Sequence, residues 1–172
     1  MSVLINGTDG IDFNDGSNQS TSATPYGRKN LLINGDMQIA QRGTSSTGIT
    51  TSGYYTVDRV LINNISGGTF TMAQDTDVPT SQGFSNSVKM SCTTTNTVTG
   101  NDQITIGQRI EAQNLQHLSY GTAAAKSLTL SFWVKSNKTG NYVVWFFQND
   151  DSRQTNKVFS IYGQIVTGKQ ML

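Results

Sequence analysis

The sequence predicts an all-β chain: an antiparallel β-sandwich or jelly roll over residues 30–172, preceded by an extended N-terminal arm over residues 1–29. Three observations lead there. Apolar and polar residues alternate in seven to nine short runs separated by long polar loops, the period of half-buried strands. Thr, Ser, Asn and Gln supply 69 of 172 residues while only 13% are charged, which favours strands, turns and hydrogen-bonding surfaces over charged amphipathic helices. Helical spacing is confined to one short stretch, and no fixed-period repeat suggests a solenoid or propeller.

In order along the chain, residues 1–29 carry three turn dipeptides, Asn6-Gly7, Asp9-Gly10 and Asp15-Gly16, with isolated apolar entries at Ile11 and Phe13 and a polar run over 17–24. No compact core can be built from that, so the arm is expected to be free or ordered only against sister chains or a larger assembly. Pro25 and Gly27 mark its end. From Asn30 a strand is expected in which Leu31, Ile33, Gly35, Met37 and Ile39 share a face, with a turn or bulge at Asn34-Gly35-Asp36. Further strands are expected at 57–62, 69–73, 88–92 and 104–110, broken by Gly67-Gly68 and by the Thr-, Asn- and Gly-rich loop 93–103. Val88, Met90 and Cys92 fall on one side, which predicts a buried thiol.

Residues 111–120 hold Leu115 and Leu118 at helical spacing for one or two turns, until Gly121. Leu128, Leu130, Phe132 and Val134 alternate with Thr129, Ser131 and Trp133, a strand with one side to the core. The run 142–147 is aromatic or β-branched on both sides and is expected to be central or covered twice; a last strand is expected at 158–166. It ends so close to Leu172 that any further closing strand would be missing, leaving the sandwich incomplete at its C-terminus.

Charge excludes some partners. Twelve Lys and Arg against eleven Asp and Glu give a net +1, and the basic residues are scattered, so neither nucleic acid nor an anionic membrane surface is expected. No stretch approaches the roughly 18 apolar residues that span a bilayer, and Met1-Ser2-Val3 opens no signal peptide, which predicts a soluble chain made in a cytoplasm. The single Cys92 excludes an intrachain disulfide framework, His117 has no second His for a metal cage, and no Gly-x-Ser-x-Gly elbow occurs. Catalysis would need carboxylates, as in a glycosidase with two held about 5 to 9.5 Å apart. The candidates Asp36, Asp58, Asp75, Asp77, Asp150 and Asp151 sit in turn-like sequence, where Asp is expected for turn reasons; Glu111 does not. The expectation is a protein that is not an enzyme and needs no cofactor, with Ca²⁺ at Asp36 and Asp58 the metal to consider.

Sugar binding asks for less machinery, because an exposed ring stacks on a pyranose while amides and hydroxyls take its hydroxyls. Tyr54, Tyr55 and Trp133 are the candidate rings. Trp133 points opposite to Leu130 and Phe132, whereas Trp145 and Phe147, inside an apolar run, are assigned to the core.

At 30–43, Asn-Leu-Leu-Ile-Asn-Gly-Asp-Met-Gln-Ile-Ala-Gln-Arg-Gly, followed by Tyr54-Tyr55-Thr56-Val57-Asp58-Arg59, the sequence resembles the opening of a domain common in tail fibre and other tail-associated proteins of bacteriophages. Gln108-Arg109-Ile110-Glu111 and the stretch from Lys126 through Phe132-Trp133-Val134 to Ser136 extend the match, and residues 10–21 resemble a short segment of phage fibre chains. The resemblance implies a jelly-roll domain similar to carbohydrate-binding modules, displayed on a virion, usually in trimeric fibres, and directed at host surface glycans. It carries no catalytic residues across. It makes Arg42 and Arg59 partners for Asp36, Asp58 or Glu111, and Phe132 a core residue. Its pattern continues past Gln170-Met171-Leu172, which implies a fragment or strands supplied by a partner.

The resulting expectation is a structural protein of the phage tail, synthesised in the host cytoplasm and assembled with sister chains as a homotrimer. The arm, through Ile11, Phe13, Asp15 and Tyr26, would meet other tail proteins. A lectin-like module reading host glycans at Tyr54, Tyr55 or Trp133 is the alternative, and a polysaccharide-degrading tail enzyme built on Asp150 or Asp151 is a third reading.

Overall fold

A computed structural model describes residues 4–6, 10–19, 30–149, 152–162 and 166–171, in two units, Met1–Leu31 and Leu32–Leu172. In the first unit, β1 (Leu4–Asn6), β2 (Gly10–Asp12) and β3 (Asn18–Gln19) pair antiparallel in the order β1-β2-β3. The β2–β3 turn follows from its residues. Gly16 takes a φ of 81° and donates its N–H to the Phe13 carbonyl at 3.0 Å, while Phe13 donates to Ser17 at 2.9 Å. The Asp15 carboxylate accepts the Ser17 hydroxyl at 2.5 Å and the Ser17 N–H at 2.9 Å, and these bonds, the hydroxyl first, hold its carboxyl below the usual carboxylate range. The described part of the stretch read as an arm is therefore a local meander, with Ile11 half-buried and Phe13 exposed. Tyr26, Pro25 and Gly27 lie outside the described residues.

The second unit runs β4 (Ser45–Ile49), β5 (Leu61–Asn64), β6 (Thr69–Asp75), β7 (Ser87–Thr94), β8 (Ile104–Gly107), a 3-10 helix (Ala112–Leu118), β9 (Thr129–Val134), β10 (Gly140–Gln148), β11 (Arg153–Ile161) and β12 (Val166–Met171). All pairings are antiparallel, in small sheets ordered β4-β6-β7, β5-β8, β9-β12 and β10-β11. The antiparallel β class expected from the sequence is thus present. Among the described residues these sheets do not close into a sandwich or jelly roll.

The core lies where β4-β6-β7 and β5-β8 share apolar side chains. Ile49, Val57, Val60, Ile62, Phe70 and Met72 form one buried cluster, with Met37, Tyr55, Val88, Met90 and Ile104 packed against it. On β6, paired on both edges, Phe70 and Met72 point inward between Thr69, Thr71 and Ala73, so period-2 alternation becomes burial directly. A bulge between Ser46 and Ile49, with Gly48 at a φ of 69°, turns Ile49 into this core. A second set of contacts joins β9 to the β10-β11 hairpin. Phe132 meets Phe159 edge-on at 5.6 Å, Tyr142 stacks on Phe159 at 5.9 Å, and Ile161 is fully buried.

Several expectations fail for local reasons. Residues 30–43 form turns and no strand, because the Asn34 side chain takes over hydrogen bonds that a neighbouring strand would have used. The strand expected at 57–62 begins only at Leu61, after a turn that buries Val57 and Val60. Cys92 is exposed: it sits near the end of the edge strand β7, beyond the reach of the core that half-buries Val88 and Met90. The strand expected at 158–166 ends at Ile161, and β12 is separate, paired with β9. The run 142–147 is not covered twice. Tyr142, Val144 and Phe146 are half-buried, whereas Trp145 and Phe147, assigned to the core from sequence, are 41% and 50% exposed beside Val143 and Val158.

Candidate functional site

A concave site in the second unit is built by the loop before β4 and the turn before β5. Asn34 sets the loop. At a φ of 58°, which Asn tolerates better than most residues, it donates its side-chain N–H groups to the carbonyls of Ile39 (2.9 Å) and Asp58 (3.0 Å) and accepts the Ile39 N–H at 2.9 Å. The Asp58 N–H in turn donates to the Ile39 carbonyl at 2.8 Å. Gln74 on β6 fastens the same loop by donating its amide to the carbonyls of Met37 and Gln38. Gln41 and Arg42 are thereby held against Tyr54, Asp58 and Arg59 around an open cleft of about 310 Å³.

Two ion pairs arm the cleft unequally. The Arg42 guanidinium lies 5.8 Å from the centre of the Tyr54 ring and reaches Asp58 Oδ1 with a single Nη1 contact at 3.5 Å; that oxygen also accepts the Gln41 N–H at 3.1 Å. Arg59 Nη2, in contrast, reaches both Glu111 oxygens at 3.0 and 3.2 Å and the Arg109 carbonyl at 3.2 Å. Its backbone sits at a φ of 68°, an uncommon conformation for a side chain of this size. The turn imposes it: Val57 and Val60 both enter the core, leaving the half-buried Asp58 and Arg59 at the cleft.

The Glu111 carboxyl is held below the usual carboxylate range, first by its own backbone N–H and then by the Arg59 guanidinium, with Asn114 adding a weaker bond. A folded-state value below the unfolded one stabilises the fold above the unfolded value, and the contribution is lost as pH falls through the folded value. An NMR titration of Glu111 should therefore show a value below that of ordinary glutamate, raised but not fully restored by Arg59→Met. An unchanged value in that variant would break the link to Arg59.

Of the rings singled out from sequence, Tyr54 lines the cleft and is 38% exposed. Tyr55 turns inward, packing on the core with its hydroxyl 2.9 Å from both the carbonyl and the hydroxyl of Thr51. Trp133 is exposed on β9 but does not line the cleft. Asp58 is a cleft residue, while Asp36 is exposed and outside it. Among the described residues no group of three or more His, Cys, Asp or Glu side chains that could hold a metal ion occurs. Asp75 and Asp77 pair with Lys89 (3.0 Å) and Lys135 (2.6 Å), and the Asp77 N–H, then Lys89, hold the Asp75 carboxyl low. Asp150 and Asp151 lie outside the described residues.

Sequence reasoning did not find Gln41, whose part rests on its backbone N–H, or the exposed Trp145–Phe147 pair, with rings 5.4 Å apart and the Trp145 indole N–H donating to Gln154 at 3.1 Å. A run apolar on both sides signals burial only if two layers cover it, and here a two-stranded hairpin carries it. No protein-family profile, curated protein or solved structure matches the chain at a significant level.

Proposed function

We propose that the chain is a structural protein of a bacteriophage virion, a tail-fibre chain that attaches through residues 1–29 and presents its antiparallel β unit, an incomplete jelly-roll-like sandwich, to host-surface saccharide. The observation that carries the attachment reading is the cleft: ring, guanidinium, carboxylate and amide surround a volume at the small end of ligand sites, on a chain rich in amides and hydroxyls. The fibre reading is supported by the ordered motifs at 30–43, 54–59, 108–111 and 126–136, and trimerisation with sister chains belongs to it. Binding without hydrolysis is the better reading of Glu111 and Asp75. A glycosidase needs an acid whose pKa is raised, whereas Glu111 and Asp75 are both held low by their donors.

Two variants test the two parts separately. Deleting residues 1–29 should abolish incorporation into particles, and unchanged incorporation would refute the docking role. Tyr54→Ala, which removes the ring and with it the support under Arg42, should weaken adsorption of the full chain to host cells by about 1–3 kcal/mol, the scale of an aromatic contact to a ligand ring or a cation. Adsorption equal to that of the unaltered chain would refute the cleft as the attachment site.

A further inference from the structure

We propose that the saccharide taken by this cleft is acidic, carrying a carboxylate on the sugar, and that Arg42 is the group that reads it; this rests on the cleft being the saccharide site. The Tyr54 ring does not offer a bare stacking platform, because the Arg42 guanidinium stands over it at 5.8 Å from the ring centre. The ring is a shelf that positions a cation. A neutral pyranose stacking on that face would have to displace the guanidinium, whereas a carboxylated one gains by meeting it.

The charge accounting inside the cleft points the same way. Arg59 is closely paired, with both Glu111 oxygens and a carbonyl within 3.2 Å of Nη2, so its charge is already matched by a carboxylate. Arg42 is less closely paired. Its side chain is 53% exposed, and of the five N–H donors of a guanidinium only one is directed at Asp58, at 3.5 Å, where a charge-assisted bond is normally 2.7–2.9 Å. Asp58 divides the same oxygen between Arg42 and the Gln41 N–H, which weakens its hold further. What remains is a planar fork of donors on a residue that lines the open cleft beside an aromatic shelf. Such a fork matches a planar carboxylate with two parallel bonds, which a lysine in its place could not reproduce.

The test is calorimetric titration of the full chain with a panel of uronic-acid-containing, sulfated and neutral oligosaccharides of equal length. The carboxylated members should bind about tenfold or more tighter than their neutral counterparts, with the gap narrowing as salt rises to about 0.5 M. Arg42→Gln should erase that preference, bringing carboxylated and neutral members to equal affinity, with the melting temperature recorded as the folding control. Arg42→Lys should restore only part of it, since charge without the fork is retained. Equal affinity for carboxylated and neutral sugars would overturn the inference and leave the saccharide reading standing; a preference for the sulfated members would overturn carboxylate recognition specifically. Binding to no member of the panel would overturn both.

Discussion

Truncating Met72 to alanine should destabilise the second unit by about 2–5 kcal/mol, the range for deleting a large buried side chain and leaving a cavity. Met72 is fully buried on β6, the strand that holds β4 and β7 together, and it belongs to the cluster shared with Val57 and Val60 beneath the cleft turn. Against a total stability of about 5–15 kcal/mol, that loss is a large share. Two controls fix the interpretation. Thr56 is equally buried, but its hydroxyl has no hydrogen-bond partner among the described residues, so the nearly isosteric Thr56→Val should be neutral or stabilising. Trp145→Ala should cost clearly less than Met72→Ala despite removing a larger side chain, because Trp145 is already 41% exposed. Urea midpoints measure all three, and a Trp145→Ala loss equal to that of Met72→Ala would mean that the hairpin face is covered in solution.

Replacing Asn34 by alanine should cost about 2.5–6.5 kcal/mol and disorder the cleft. Three side-chain hydrogen bonds disappear, each worth about 0.5–1.5 kcal/mol, and a residue with a Cβ but no polar side chain must hold a φ of 58°, at about 1–2 kcal/mol more. Asn34→Gly keeps the backbone conformation and loses only the bonds, so its cost should fall between those of the native chain and Asn34→Ala. Hydrogen exchange gives the local readout: the Ile39 and Asp58 amides, donors to Asn34 Oδ1 and to the Ile39 carbonyl, should lose protection first. Alanine tolerated within about 0.5 kcal/mol, the ordinary range for surface substitutions, would show that the loop is held by Gln74 and backbone contacts alone.

The contrast between β6 and residues 30–43 shows where sequence reading works here. β6, β7 and β9 were legible because apolar residues repeat along one side of each strand, so period and burial coincide at Phe70 and Met72, at Val88 and Met90, and at Leu130, Phe132 and Val134. β4 was not, since Ser45–Ile49 offers a single large apolar residue and is a strand only through its pairing with β6. Residues 30–43 carry a period-2 pattern yet form turns, because Asn34 satisfies locally what a partner strand would otherwise satisfy. At the cleft, Tyr54, Asp58, Arg42 and Arg59 could each be singled out, and an Arg–Asp or Arg–Glu pairing expected. Adjacent Tyr54 and Tyr55 looked equivalent, and only the core beneath separates them, claiming Tyr55 and leaving Tyr54 outside.

Chemical-shift mapping of the isotopically labelled full chain, titrated with polysaccharide extracted from the host surface, tests the attachment reading most directly. Shifts concentrated at Gln41, Arg42, Tyr54, Asp58 and Arg59, lost in Tyr54→Ala, are the predicted result. Shifts centred instead on Trp133 or on the Trp145–Phe147 face, or none from a polysaccharide that supports adsorption of the intact particle, would contradict it.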